Sequence, residues 1–141
     1  MNNEILDRHI EKFLFAGNSY FIMTSKRTGT KYQFHICSND EKTLWFVNVV
    51  DKHGAEYAGY IKKFKGAYNW YKGRGGKYDL SDNRILSLMW LTRHLHDVDI
   101  HDKITIQHVG RCARCGKKLT TPESIELGLG PVCADAVFRE D

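Results

Sequence analysis

The fold is decided by residues 20–37, which read YFIMTSKRTGTKYQFHIC. Two runs rich in β-branched and aromatic residues, 20–24 and 32–37, flank the polar segment 26–30, which contains Gly29. Such a pair of apolar runs around a short glycine-containing loop is typical of a β-hairpin. The stretch therefore predicts two neighbouring antiparallel strands.

A second hairpin follows directly. The strand-like runs 43–50 and 57–61 surround residues 51–54, which read DKHG. Together the two hairpins predict a meander of about four antiparallel strands. A sheet of this size needs a further layer against one face to bury its apolar side chains.

Two segments have the apolar spacing of amphipathic helices. The first covers residues 5–14 and is expected to end near Gly17. The second is expected to begin at a cap, Asp79 or Ser81, and to run to about Leu95 with a broad, buried apolar face. Residues 65–80, between the sheet and this helix, look irregular, and a further strand begins at residues 104–106.

The strongest chemical pattern is His108-x3-Cys112-x2-Cys115-x17-Cys133. A Cys-x2-Cys pair followed by Gly116 is typical of a zinc knuckle, in which a tight turn presents two thiolates to one ion. Cys133 stands at the expected start of a short helix, where an anionic sulfur is favoured. The residues predict a structural zinc site, with a disulfide as the alternative.

The fourth ligand is less direct, because Ala136 stands where a second Cys-x2-Cys pair would need cysteine. His108 is the preferred candidate, and Asp135 and His101 are the alternatives. Cys37 lies within a strand pattern and is expected to be a small core residue. The site lacks the His-x-Glu element of zinc deaminases, so a catalytic zinc is not the favoured interpretation.

These elements define the predicted architecture. We expect an α+β fold in which an antiparallel sheet of about four strands is packed by two helices, with a C-terminal treble-clef or zinc-ribbon module. The boundaries are residues 1–100 for the α+β domain and 101–141 for the zinc-binding module.

Residues 112–133 also carry a family resemblance. They contain Cys-x-x-Cys-Gly, then Leu-Thr-x-Pro-x-Ser, then Gly-x-Gly-Pro-x-Cys. This stretch resembles a zinc-binding domain of unknown function that is common in bacteriophage and actinobacterial proteins. The upstream segment 25–34 is similar to a strand pair often found in such phage proteins. The resemblance implies zinc and a phage origin, and it implies no molecular activity.

The segment between Tyr57 and Tyr78 holds six cations and no acidic residue, interleaved with aromatic side chains. Cations neutralise phosphates and aromatic rings stack on unpaired bases, so this composition favours single-stranded or irregular nucleic acid. The alternative is a half-buried edge strand with solvated lysines and core-facing rings. With two arginines of the knuckle, the residues predicted to contact nucleic acid or a partner are Lys62, Lys63, Lys65, Tyr68, Trp70, Tyr71, Lys72, Arg74, Lys77, Arg111 and Arg114.

Residues 94–102 read HLHDVDIHD and suggest a second metal or acid–base site. No nucleophile or catalytic motif accompanies them, and a histidine at a helix end favours the helix dipole. We interpret the segment as a polar linker and expect no enzyme activity.

Composition sets the remaining expectations. The net charge of +4 argues against an acidic DNA mimic, and no stretch is apolar enough for a membrane span. The charged N-terminus does not resemble a secretory leader, so a reducing cytoplasm, of an infected host if the protein is phage-encoded, is expected.

The predicted function is a non-enzymatic phage accessory protein with a structural Zn²⁺, binding nucleic acid or a nucleic-acid-handling complex. The first alternative is an inhibitor that binds a host protein, such as a defence nuclease. The second alternative is a zinc-dependent hydrolase or deaminase. A small-molecule substrate is not expected.

Overall fold

The computed structural model describes residues 3–139. Its centre is one antiparallel sheet of six strands in the order β5-β4-β3-β2-β1-β6, curled into a half-barrel. The strands are β1 (Asn18–Ser25), β2 (Lys31–Ser38), β3 (Leu44–Asp51), β4 (Gly54–Phe64), β5 (Ala67–Tyr71) and β6 (Ile104–His108).

Both predicted hairpins are present, but the prediction of a four-stranded sheet is wrong. Strand β5 lies in the segment 65–80 that the sequence had suggested to be irregular. Lys65 and Gly66 both have positive φ, 51° and 81°, and Phe64 pairs with Ala67 across them. Such a two-residue turn matches the twist of the flanking strands, so the chain folds straight back on β4.

The sixth strand, β6, pairs with β1 and places Ile104 opposite Ser25. Its outer edge is covered by the N-terminal segment, in which the Ile5 N–H donates to the Ile106 carbonyl at 2.8 Å and Glu4 forms a bridge with Gln107. Strand β5 forms the opposite edge of the sheet.

The prediction that two helices pack the sheet is also wrong. Five short α-helices occur in residues 3–139, and buried side chains of four of them, α1, α2, α3 and α5, join one hydrophobic core. Their bounds are α1 (Ile10–Leu14), α2 (Asn83–Arg93), α3 (Ile100–Lys103), α4 (Pro122–Leu127) and α5 (Pro131–Arg139), and a 3-10 turn covers Asp7–His9.

The two predicted helices differ from α1 and α2 at their ends. The first is shorter than expected because Ile5 is held in the bridge to β6. The second begins after Asp82, whose side chain accepts a hydrogen bond from the Arg84 N–H. No helix in the described part of the chain is long and apolar enough to cross a membrane.

The two faces of the sheet differ. One face is buried against the helices: Phe13 of α1 meets Phe21 edge-on at a ring-centroid distance of 6.4 Å, and Phe15 meets Trp45 at 5.3 Å. The other face, which we call the open face, is only partly buried. The open face includes Tyr20, Gln33, His35, Phe46, Asn48, Tyr60, Lys62, Asn69 and Tyr71.

Strand β6 also links the two predicted domains. It belongs to the sheet, yet it lies C-terminal to residue 100 and leads directly into the cysteine segment. The boundary at residue 100 stays a prediction, and residues 1, 2, 140 and 141 of the predicted ranges lie outside the described chain.

Candidate metal centre

Three cysteines form the candidate metal centre. The Sγ atoms of Cys112, Cys115 and Cys133 all lie within 4.8 Å of one another. Cys112 and Cys133 are buried and Cys115 is exposed. The spacing of the sequence motif therefore brings these three residues together, and such a group can hold a metal ion.

The first two cysteines are positioned by a tight turn. The Cys112 N–H donates to the Lys117 carbonyl at 2.8 Å, and the Gly116 N–H donates back to the Cys112 carbonyl at 2.9 Å. Inside this turn, the N–H groups of Arg114 and Cys115 point at the Cys112 Sγ, at 3.4 and 3.5 Å. Directed N–H groups stabilise a thiolate, which is the form of cysteine that binds metal.

Contacts within the cysteine group change the acidity of Cys112 and Cys133. Burial works against ionisation of Cys112, but backbone N–H groups, led by that of Cys115, outweigh it and lower the pKa of the thiol to about 7. At Cys133, burial raises the pKa, although the guanidinium of Arg114 opposes this effect. Cys112 is thus prepared to ionise near neutral pH, ahead of Cys133.

The third cysteine is delivered by two helices. Helix α4 begins at Pro122 after a cap in which the Thr121 hydroxyl accepts from the Ser124 N–H, and it ends at Gly128 with a left-handed φ of 71°. After a short link, Pro131 starts α5 and Cys133 lies in its first turn. The cap, the proline and the glycine are recognisable in the sequence, although we did not predict α4.

This arrangement corrects the predicted module type. In place of the β-hairpin of a treble clef or zinc ribbon, residues 109–139 contain one isolated bridge, between Arg111 and Lys118. Helices α4 and α5 form the rest of the module.

The module is fastened to the sheet at Ala113. The Ala113 N–H donates to the Gly128 carbonyl at 2.9 Å, and the Ala113 carbonyl accepts from the Asn18 N–H at 2.7 Å. Ala113 is completely buried. The turn that carries two cysteines is therefore anchored at once to the start of β1 and to the end of α4.

His108, the predicted fourth ligand, lies at the end of β6 but is not part of the cysteine group. Its Nδ1 accepts from the Gly110 N–H at 2.8 Å, and its Nε2 lies 2.6 Å from the Ile125 carbonyl. Burial lowers the pKa of this ring, and the bond to Ile125 opposes that effect only partly. Both ring nitrogens are thus engaged in joining β6 to α4, and His108 offers no free nitrogen to a metal in this arrangement.

The other fourth-ligand candidates also have partners. Asp135 pairs with Arg139 at 3.1 Å. His101 lies 2.6 Å from Asp7 and 3.3 Å from Asp102. Within residues 3–139, the three cysteines are the only group of metal-ligand residues with suitable spacing.

The histidines of segment 94–102 have local contacts. His94 bonds to the Trp90 carbonyl at 2.7 Å, and His96 lies 2.9 Å from Glu11. Cys37 is half-buried on β2 and does not belong to the cysteine group, so the expectation that it is a small core residue is not met.

Two of the predicted binding aromatics face the core. Tyr68 stacks on Phe15 at a centroid distance of 4.0 Å, and its hydroxyl donates to Glu11 at 2.5 Å. Trp70, two residues along the same strand, is partly buried and packs against the core. These two rings pack strand β5 against the core of the protein.

Tyr71 points to the open face. It is 44% exposed and stacks on Tyr60 at 5.2 Å, and Tyr60 lies opposite Phe46 on β3. The Lys62 Nζ lies 5.9 Å from the centre of the Tyr71 ring. Phe46, Tyr60 and Tyr71 thus form a row across three strands, which we call the aromatic row; strand alternation could have revealed it, because alternate residues share a face.

The predicted cations fall into several groups. Lys63 and Lys72 form ion pairs, with Glu11 and Asp79 respectively, each at 3.8 Å. Exposed positions around the β4–β5 hairpin and the loop after it are occupied by Lys62, Lys65, Arg74 and Lys77.

The two knuckle arginines serve the cysteine turn. The Arg111 Nη1 donates to the Gly116 carbonyl at 3.2 Å, and the Arg114 Nη1 lies 3.7 Å from the Cys133 Sγ. Their positive charge faces the region where thiolates would collect.

Comparison with known proteins reaches only the C-terminal part. Residues 105–138, from β6 to α5, match the family described as "Family of unknown function (DUF6011)". No curated protein and no solved structure matches the chain. The family match and the cysteine cluster are consistent with a zinc-binding domain of unknown function.

Proposed function

We propose that the protein is a non-enzymatic accessory protein that binds single-stranded nucleic acid on its open face, and that a structural Zn²⁺ fixes its C-terminal module. The observation that carries the binding proposal is the aromatic row with Lys62 beside it. The family resemblance adds a phage origin and a role in the cytoplasm of an infected host, both of which stay predictions.

The donor set supports zinc. Three thiolates, of which that of Cys112 receives directed N–H groups, suit a borderline-soft cation, and structural zinc sites are commonly built from cysteine and histidine. Cys112, Cys115 and Cys133 would hold the ion, which would supply cross-linking energy to a module with few strand contacts. No carboxylate joins the cysteine group within the described chain, so the group itself holds no general base of the kind that zinc deaminases use.

The open face supports nucleic acid. Unpaired bases stack on aromatic side chains at about 1–3 kcal/mol each, whatever their sequence. Lys62 lies beside the aromatic row, and Lys65, Arg74 and Lys77 occupy exposed positions of the β4–β5 hairpin and the loop after it, where they would meet phosphates. A flexible single strand could place bases on the row and its backbone along these cations, whereas a duplex keeps its bases stacked inside.

The first experiment is fluorescence anisotropy with labelled single-stranded and duplex DNA and RNA at low and physiological salt. We expect single strands to bind better than duplexes and binding to weaken steeply with salt, because bound cations release counterions. In Tyr60→Leu/Tyr71→Leu we expect affinity to fall about ten-fold or more through lost stacking.

A matched pair of charge reversals tests the location. Lys62→Glu should weaken binding strongly. Lys52→Glu should leave it nearly unchanged, because Lys52 is an exposed residue of the β3–β4 turn, at the opposite end of β3 from the partner of Lys62. Equal effects of the two reversals, or no binding at low salt, would refute the proposal.

One observation keeps a protein partner as the second candidate. Phe64, at the tip of the β4–β5 hairpin, is 65% exposed on the same face of the sheet as Tyr71, which pairs with Tyr60 further back along β4. Exposed aromatic anchors are typical of protein interfaces, and such binding depends little on salt. A host-protein inhibitor would therefore be indicated by salt-resistant capture of one partner that Phe64→Ser abolishes.

A further inference from the structure

A concave surface is formed by residues outside both the cysteine cluster and the open face. It is a groove of about 810 Å³ between the β1–β2 turn and one side of α2, which we call the hairpin groove. Ligand pockets in proteins commonly have volumes of about 300–1,000 Å³. None of its lining residues belongs to the aromatic row or to the metal centre.

The floor of the groove is apolar and partly uncovered. Leu86, in the first half of α2, is 48% exposed, and Tyr32 and Trp90 line the groove with it. The Trp90 ring is held in place, because it stacks on His94 at a centroid distance of 4.5 Å. An unfilled apolar floor of this kind favours a flat, apolar group of a ligand.

The rim of the groove is positively charged. Lys26 and Arg27 are exposed in the turn, and no ion pair engages either of them within residues 3–139. A third cation, Lys103, pairs with Asp99 at 3.5 Å. The only acidic residue of the lining, Asp102, lies 3.3 Å from His101. The charge of the rim therefore favours an anion.

The rim is also preorganised by backbone hydrogen bonds. The Ser25 N–H donates to the Thr30 carbonyl at 2.9 Å and the Gly29 N–H to the Ser25 carbonyl at 2.8 Å, which closes the turn. The Lys26 N–H donates to the Lys103 carbonyl at 2.9 Å and fixes the turn to the start of β6. A rigid rim reduces the ordering cost of binding.

We propose that the hairpin groove binds a small phosphorylated aromatic molecule, of the class of the nucleoside monophosphates. The ring system would pack on Leu86, Tyr32 and the edge of Trp90, and the phosphate would lie against Lys26 and Arg27. This site adds a small-molecule ligand to the nucleic-acid surface proposed above and uses different residues.

The test is a ¹H–¹⁵N NMR titration of the full-length zinc-loaded protein with AMP, GMP, CMP and UMP, and separately with adenosine and inorganic phosphate. At least one nucleotide should shift the Trp90 indole signal, identified with Trp90→Phe, and leave that of the buried Trp45 unchanged. Nucleoside alone and phosphate alone should bind at least about ten-fold more weakly, because each satisfies only half of the groove.

Two double variants with the same change of charge locate the site. Lys26→Glu/Arg27→Glu should weaken nucleotide binding at least about ten-fold, and Lys62→Glu/Lys65→Glu should leave it unchanged while abolishing binding of single-stranded nucleic acid. Absence of a Trp90 shift with all four nucleotides would overturn the proposal, as would equal weakening in both double variants. Either result leaves the nucleic-acid proposal to its own assay.

Discussion

Gly128→Ala offers the sharpest test of how the metal module docks. Gly128 ends α4 with a φ of 71°, a conformation that costs an alanine roughly 1–2 kcal/mol. A Cβ there would also lie 2.6 and 2.7 Å from carbons of the Phe13 ring and 3.0 Å from Ile5. Phe13 is only 1% exposed and has no room to move, so overpacking adds about 1–3 kcal/mol.

The total predicted loss is about 2–5 kcal/mol, a large part of the 5–15 kcal/mol typical of a domain. Gly110→Ala is the matched control. Gly110 lies in the same module with a φ of 87°, and a Cβ there meets no atom within 4 Å, so it should cost only the backbone part. Urea unfolding of the zinc-loaded proteins measures both. Equal losses in the two variants would show that the module does not pack on Phe13 as described.

Three further outcomes are expected. Cys133→Ser should abolish zinc binding and the amide-exchange protection of residues 109–139, while Cys37→Ser should keep both. Metal analysis and hydrogen exchange measure the two effects. Zinc retained in Cys133→Ser would contradict the proposed site. Burial lowers the pKa of His35 below its ordinary 6.5, so on acidification this histidine is protonated in the unfolded chain before it is protonated in the folded one. The free energy of unfolding should therefore fall as the pH drops below about 6.5, by at most about 1.4 kcal/mol per pH unit. His35→Asn should remove this part of the dependence in urea titrations at several pH values, and an unchanged pH profile would argue against it. Tyr68→Phe should cost about 0.5–1.5 kcal/mol through its lost hydrogen bond and leave nucleic-acid affinity unchanged; weaker binding would place Tyr68 in the interface.

Strand pairings between neighbouring segments could be predicted from the sequence, whereas the pairing between distant segments could not. The two hairpins followed from apolar runs and a glycine-containing loop, because those interactions are close along the chain. Strand β5 was missed because the turn at Lys65-Gly66 adjoins a glycine- and lysine-rich stretch that looked irregular. The pairing of β6 with β1 joins residues such as His108 and Phe21, and no local pattern encodes it.

At the candidate site, the sequence correctly predicted that Cys112, Cys115 and Cys133 lie together. It did not predict that the His108 ring bonds to other groups. The distance along the chain from His108 to Cys112 is suitable for a metal ligand. That distance does not show whether the ring nitrogen binds a metal or, as here, the Ile125 carbonyl on α4. For the binding surface, composition grouped all aromatics of residues 57–78 together. In the structure, successive side chains of β5 point to opposite faces of the sheet, so Tyr68 lies in the core and Tyr71 on the open face.

The covering of β6 by the N-terminal segment has a kinetic consequence. The Asn3 side chain bonds to the His108 carbonyl, 105 residues further along the chain, and the Ile5 N–H bonds to the Ile106 carbonyl across a similarly large separation. Pairings with such large sequence separation form late, because loop closure must precede any gain from the contact. During synthesis, the β1 edge of the sheet stays unpaired until β6 emerges, so the newly made β1–β5 meander passes through a stage with both edges exposed, and aggregation is most favoured at that stage.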